Sequence, residues 1–167
     1  MVTNKKNRIV VVGSYNKDIT IRTNQLPKKG ETVLGELINS GPGGKGANQA
    51  VAAARAGAEV CFIANVGMDH NGDDAIEKLK KQGVEVRLVK KDKDVPTGTA
   101  TIVVNPQGEN CIVVVPGANS SLTPQDIIQF EHEFSHFDMM LLQLECPIET
   151  VITAASLAQN NGLNSCS

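Results

Sequence analysis

An α/β fold, built as a parallel sheet with helices on both faces plus a small β lid, is predicted by three features of this 167-residue chain. Short, continuous apolar runs alternate with longer helical patterns, as in a parallel sheet buried on both sides. The helical patterns begin and end on legible signals: Gly57 and Gly83 stop two of them, and Pro124 and Pro147 open two others. Two further stretches carry period-two alternation and a hairpin signal, and therefore belong to a different sheet. The chain is expected to form one domain over 1–167, with lid strands at about 18–38 and 97–115 inserted in it.

Taken in order, residues 8–13 form the first apolar run and are predicted as a buried strand. Residues 18–23 alternate, with Ile19 and Ile21 on one face, and a second lid strand over 32–38 follows the turn at Pro27-Lys28-Lys29-Gly30. A glycine-rich turn then leads into an alanine-rich helix over 47–56, stopped by Gly57. A strand is predicted over 60–64, a helix over 73–82 and a strand over 84–89. Residues 97–104 and 111–115 form a hairpin around Asn105-Pro106-Gln107-Gly108. Thr123, Pro124 and Asp126 begin a helix over 124–134, a strand follows over 139–144, and Pro147 opens a helix over 148–159. After Asn160-Asn161-Gly162 a parallel protein should launch another strand, yet Leu163-Asn164-Ser165-Cys166-Ser167 has only Leu163 as a clear apolar residue. The sheet is therefore expected to lack its C-terminal part, and to leave an edge and helix faces uncovered.

Composition excludes several function classes. A net charge of −2, with the lysines around 78–81 and 90–93 set among acids or on polar faces, gives no nucleic-acid footprint. Aromatic residues are 3% of the chain and Trp is absent, so stacking platforms for bases or sugars are not indicated. Residues 1–8 are polar and basic, but the apolar run after them, 9–12, is too short for a signal sequence or a membrane span. Cys61, Cys111, Cys146 and Cys166 lack metal-like spacing, and Cys61 and Cys111 sit in apolar strand patterns as small hydrophobes. A cytoplasmic protein that engages neither nucleic acid nor membrane is expected. His70, His132 and His136 show no triad or metal spacing and are read as surface or loop residues.

The segment Gly41-Pro42-Gly43-Gly44-Lys45-Gly46-Ala47-Asn48-Gln49-Ala50 carries the chemistry. Glycines allow a backbone to approach a small ligand, and the free N–H groups of the helix start point at it. Lys45 adds a mobile cation and Asn48 an amide that both donates and accepts. The ligand would be small and hydroxyl-rich or anionic; the plainer alternative is a flexible loop ahead of a helix. A phosphate-cradling P-loop is excluded, because Asn39 occupies its first glycine position and Gly46 follows the lysine. Gly41, Gly43 and Gly46 match Gly-x-Gly-x-x-Gly, but the first apolar strand lies far upstream and Glu59 precedes its strand, so a dinucleotide site survives only weakly.

The segments Gly13-Ser14-Tyr15-Asn16-Lys17-Asp18, Leu26-Pro27 with Gly30-Glu31-Thr32, the run 43–50, Val115-Pro116-Gly117-Ala118-Asn119 and Leu142-Gln143-Leu144-Glu145, in this order and spacing, together resemble the ribokinases of the PfkB-like sugar kinase family. The resemblance covers about 8–162 and implies a Rossmann-like, ribokinase-like fold. It further implies phosphorylation of D-ribose at its 5-hydroxyl by ATP, with Mg²⁺ and K⁺, in a homodimer joined through the lid. Carried over by position, the sugar contacts would be Asn16, Asp18, Gly44, Lys45, Asn48 and Glu145, with Ala100, Ile102 and Val114 as the apolar floor of the lid. Taken singly, Asn16 and Asp18 could cap a turn, Glu145 could favour a helix start, and Lys45 could be a solvated lysine. The family's Gly-Ala-Gly-Asp segment, which holds the catalytic base and the anion hole, has no counterpart in this sequence, and Ala56-Gly57-Ala58-Glu59 is a helix stop. The Asn-x-x-Glu segment, the adenine loops and the cation site are missing too. The resemblance therefore implies a sugar-binding half without catalytic machinery, the alternative being a non-catalytic sugar-binding or oligomerising module.

Overall fold

The computed structural model describes residues 7–166; most of the polar, basic start and Ser167 lie outside the described residues. The strands are β1 Arg8–Val12, β2 Asn16–Thr23, β3 Gly35–Gly43, β4 Glu59–Gly67, β5 Val84–Glu85, β6 Val89–Asp92, β7 Thr99–Val104, β8 Asn110–Val115, β9 Met139–Leu142 and β10 Asn164–Cys166. The helices are α1 Lys45–Arg55, α2 His70–Lys81, α3 Pro124–Gln129, α4 Glu131–Phe134 and α5 Ile148–Asn160, with a 3-10 turn at Gly117–Ser121. The main sheet runs β10-β9-β1-β4-β5, with β6 also on β4, and every pairing in it is parallel.

Period-two geometry explains the helices on both faces. In β1, Val10 and Val12 enter one core while Val11 enters the other; in β4, Cys61 and Ile63 oppose Val60, Phe62 and Ala64. The first core is closed by Leu122, Ile127, Phe134, Val151, Ala154 and Ala158 from the α3, α4 and α5 region, the second by Ala47, Ala50, Ala75 and Leu79 from α1 and α2. Each large apolar side chain buried this way contributes roughly 1.5–3 kcal/mol, and Phe62, Ile63 and Phe134 are wholly inaccessible.

The second sheet, β3-β2-β7-β8, is the lid. β2 pairs antiparallel with β3 and parallel with β7, and β7 and β8 form the antiparallel hairpin. Lys17 Nζ in β2 donates to Asp74 in α2 at 2.9 Å, and Lys78 Nζ donates to the same oxygen at 2.7 Å, tying the lid's root to the main body.

Several elements differ from expectation for identifiable reasons. The strand expected over 84–89 is two, because a turn closed by Val89 N–H on the Val86 carbonyl sends Val86 into one core and Leu88 into the other. The helix expected over 124–134 breaks at Phe130, whose φ of −98° and ψ of 4° leave the helical region, and the break lets Phe134 bury fully. α2 starts earlier than residue 73 because Asp69 caps it, accepting from Gly72 N–H at 2.8 Å. The supposed turn at Gly41–Gly43 is the end of β3, paired from Asn16↔Gly43 outward. A dinucleotide fingerprint would need those glycines on a turn after a parallel strand; they lie on an antiparallel one.

Two further corrections concern the C-terminal region and a cysteine. A strand does follow α5: Leu163 N–H closes the helix on Ala158 O at 2.9 Å, Leu163 is buried, and β10 pairs with β9. Sheet pairing uses backbone groups, so a polar strand can still extend the ladder. Cys111 is exposed on β8, the outer strand of the lid, and is not packed as a small hydrophobe; Cys61 is buried as expected.

At the edge where β1 and β4 begin, Arg87 donates to Glu133 with both terminal nitrogens, Nη2 to Oε2 at 2.7 Å, and with Nε to Glu85 at 2.7 Å. The guanidinium holds the Glu133 carboxyl at about 2, below its ordinary 4.5. A depressed carboxylate contributes stability in full above its unfolded value, and that contribution is lost as pH falls through the folded one. Glu133→Gln is therefore expected to cost up to about 1 kcal/mol at neutral pH, with the gap to wild type narrowing from pH 4.5 towards 2. Urea unfolding of both proteins at several pH values checks this; a gap independent of pH would remove the ion pair as its cause.

Candidate functional site

Parallel α/β sheets leave a crevice beyond the carboxyl ends of their strands. Here it receives the segment after β1, the segment after β9 and the start of α1. Ser14 Oγ donates to Glu145 Oε2 at 2.6 Å, the Lys45 backbone N–H donates to the same oxygen at 2.9 Å, and Lys45 Nζ lies 3.3 Å from Oε1. Glu145 thus sits on the N-terminus of α1, where the helix dipole favours a negative charge. Burial alone would raise its carboxyl; the bonds from Ser14 and Lys45 outweigh that and hold it below its usual range.

Asp18 is the counterpart. Its carboxyl lies against the Cα of Gly43, where a Cβ would collide with it. Burial and then the charge of Glu145 push it above the usual carboxylate range. Unlike Glu145, it takes no hydrogen bond from any described residue. A half-buried carboxylate with free acceptor positions, beside a second one pinned through Oε2, is a receptor for hydroxyl hydrogens.

Gly44 has φ 90°, and a Cβ on it would lie 2.8 Å from Ser14 O and 2.9 Å from Asn16 N. The backbone therefore passes directly over the segment after β1, which only glycine permits at that angle. Asn16 is buried, and its Oδ1 accepts from Asn119 Nδ2 at 2.9 Å. Asn16 and Glu145 line a cavity of about 440 Å³ with Val114, Pro116, Asn119, Leu144 and Pro147. Lys45 has a largely exposed side chain.

The structure thus gathers Asn16, Asp18, Gly44, Lys45 and Glu145. Asn48 stands one turn into α1, its N–H on Gly44 O at 3.0 Å, and lines a separate groove towards Lys78, Leu79 and Lys81 of α2. In the lid, Ala100 is buried and Ile102 partly so, while Val114 is about half exposed at the cavity mouth. Ser14 and Asn119 belong to segments notable in the sequence, yet their part in the site was not legible there. A larger cavity of about 790 Å³ lies at the opposite edge of the sheet, lined by charges that pair among themselves through Arg87. Among the described residues no cluster of three or more His, Cys, Asp or Glu could hold a metal ion, and no helix is long and apolar enough to cross a membrane. His70, His132 and His136 are all exposed.

Comparison with known proteins places this geometry. The family described as pfkB family carbohydrate kinase matches residues 6–166. Ribokinase of Bacillus subtilis (strain 168) is 45% identical over 143 residues, covering 86% of this chain and 48% of the relative. Ribokinase of Mus musculus is 41% identical over 155 residues, covering 93% and 48%. The solved ribokinase of Arabidopsis thaliana, complexed with ribose and ATP, superposes with a TM-score of 0.81 at 31% identity, covering 96% of this chain and 52% of that one. The chain spans about half the length of the curated relatives it matches. A lid sheet over the carboxyl ends of a parallel sheet, two carboxylates at the start of α1 and a family match along nearly the whole sequence agree: the chain belongs to the pfkB family of carbohydrate kinases.

Proposed function

We propose that this chain supplies the sugar-binding half of a ribokinase, which phosphorylates D-ribose at its 5-hydroxyl. The observation that carries the reading is the pair Asp18 and Glu145, one carboxylate open and one pinned, beside the Gly44 backbone. Asp18 accepts hydrogens from neighbouring hydroxyls of the sugar, Asn16 offers its amide, and the glycine backbone allows the ring to sit close. Each charge-assisted bond contributes about 1.5–3 kcal/mol, enough for several to fix one orientation of a small sugar. Lys45, exposed beside Glu145, completes the contacts, with Ala100, Ile102 and Val114 as the apolar side; Asn48, one turn along α1, is assigned to the sugar by the family pattern alone, since it lines the neighbouring groove. The relative solved with ribose and ATP supports this substrate pair.

ATP would supply the γ-phosphoryl group. No residue of this sequence matches the family's Gly-Ala-Gly-Asp base and anion hole, so the transfer step is assigned to a protein that also carries that segment. Mg²⁺ and K⁺ are implied by the family; among the described residues no cluster of three or more His, Cys, Asp or Glu could hold a metal ion. The lid is assigned to a homodimer: β8 is exposed along its whole length, with Ile112, Val113, Val114 and Val115 each about half exposed or more. An exposed apolar edge strand seeks a partner, and a second lid offers a matching one.

The absence of the base keeps a second reading, a sugar-binding module without catalysis. Calorimetric titration of the chain with ribose, ATP and NAD, together with an ADP-release assay, tests both. Saturable heat with ribose and no ribose-dependent ADP release are expected. Ribose without saturable heat would remove the sugar site; ADP release above the enzyme-free control would show that the chain carries a base of its own.

A further inference from the structure

Asn119 lies in the 3-10 turn after β8, far in sequence from Asn16, and is almost completely buried. Its side-chain amide sits in an environment whose polarity the backbone dictates. Tyr15 N–H donates to Asn119 Oδ1 at 2.9 Å, while Asn119 Nδ2 faces the carbonyl oxygens of Tyr15 and Pro116, each at 2.9 Å. A backbone N–H cannot accept and a carbonyl cannot donate, so the Asn119 amide has one permitted orientation. The third atom within 2.9 Å of Nδ2 is Oδ1 of Asn16. Nδ2 shares its two hydrogens among these three acceptors, and an Asn16 amide turned the other way would set donor against donor; with Oδ1 on Asn119, the Asn16 Nδ2 has no partner among the described residues and remains available to the cavity that Asn16 lines. Gly98 guards the junction: a Cβ there would lie 2.5 Å from Asn16 Oδ1 and collide with the Pro116 carbonyl and Asn119.

We propose that Asn119 is a positioning residue that sets the polarity of the site, fixing Asn16 as a hydrogen-bond donor to the ligand. This rests on the sugar-binding reading and narrows it. With Asp18 and Glu145 able only to accept and Asn16 able only to donate, the ligand must present hydroxyls in both senses, giving hydrogens to the carboxylates and one oxygen to Asn16. Adjacent hydroxyls of a sugar meet that demand, whereas a ligand offering donors alone, such as a polyamine, leaves Asn16 unsatisfied.

Removing the Asn119 amide outright would take away the partner of the buried Tyr15 N–H and of the Tyr15 carbonyl, so that variant tests folding as much as polarity. The orientation is therefore read in the wild-type chain, labelled with ¹⁵N and ¹³C, by scalar coupling across hydrogen bonds. A correlation from Asn119 Nδ2 to Asn16 Cγ is expected, with slow exchange of the Asn119 amide protons. Ribose should then shift the side-chain amide resonances of Asn16 and leave those of Asn119 in place. Asn16→Asp keeps an acceptor for Asn119 but offers the ligand no donor; as a buried charge added beside Asp18 and Glu145 it is expected to lower the unfolding midpoint while keeping the cooperative melt of a folded chain, and to bind ribose roughly tenfold or more weakly. A missing Asn119–Asn16 coupling with fast Asn119 exchange would overturn the proposal, as would Asn16→Asp binding ribose with wild-type affinity. A wild-type chain that does not bind ribose would remove the sugar reading, and the coupling would still decide the orientation of Asn16.

Discussion

Asp18→Asn is expected to weaken ribose binding about 10- to 100-fold while leaving the fold slightly more stable. The two effects have one origin. Asp18 is half-buried, lies beside the charge of Glu145 and has no hydrogen-bond donor from the described residues, so its carboxyl titrates above its usual range. An Asp whose folded pKa is raised above its unfolded value disfavours folding once pH exceeds that value, because the folded state then holds a charge it solvates poorly. Removing the charge relieves that cost and removes the acceptor for sugar hydroxyls. Wild-type affinity for ribose is accordingly expected to fall as the medium is acidified through the raised pKa, and the Asn variant to lose that part of the dependence. In a longer protein carrying this same half, the KM for ribose should rise with the KM for ATP nearly unchanged. Calorimetry across a pH series, paired with urea unfolding, checks both signs. Unchanged ribose affinity would take Asp18 out of the site, and a loss of stability would show that its carboxylate has a structural partner.

Gly44→Ala should unfold or severely loosen the site, by about 3 kcal/mol when left-handed strain and backbone collision are combined. At φ 90° any other residue is strained, and the new Cβ would press on Ser14 O, Asn16 N and Tyr15 Cα, all backbone atoms that cannot rotate away. Gly57 is the internal control. It has φ 97° but nothing within 4 Å of its Cβ position, so Gly57→Ala should cost about 1 kcal/mol from conformation alone. Urea melts of the two variants separate the terms. Equal losses would mean that the segment after β1 moves aside and that close approach at Gly44 is not what holds the site.

Much of the fold was legible because its signals are local. Continuous apolar runs marked β1, β4 and β9, and Thr123-Pro124 announced α3, whose capping box the structure contains. What escaped was non-local. The division of 84–89 into β5 and β6 depends on two cores competing for Val86 and Leu88, which periodicity in one segment cannot show. β10 was missed because its side chains are polar, whereas its pairing with β9 is a backbone property. In the site, Asn16, Asp18, Gly44, Lys45 and Glu145 could be grouped from the sequence through the family pattern. Ser14 and Asn119 could not be given roles, since hydroxyl and amide side chains acquire meaning only from the atoms they face.

The sequence by itself determined the layered α/β class, the lid as a separate sheet, the glycine-rich entry to α1 and the family to which these belong, since each rests on periodicity, turn chemistry or motif order within short stretches. The tertiary structure alone decided which carboxylate is pinned and which is free. Glu145 is held by a hydroxyl 131 positions away and a backbone amide 100 positions away, while Asp18 is merely brought beside it. It alone also set the direction of the Asn16 amide, through Asn119 at a separation of 103 residues. Charge state and hydrogen-bond polarity depend on the atoms within a few ångströms, and in a parallel sheet those atoms come from segments that no local pattern connects.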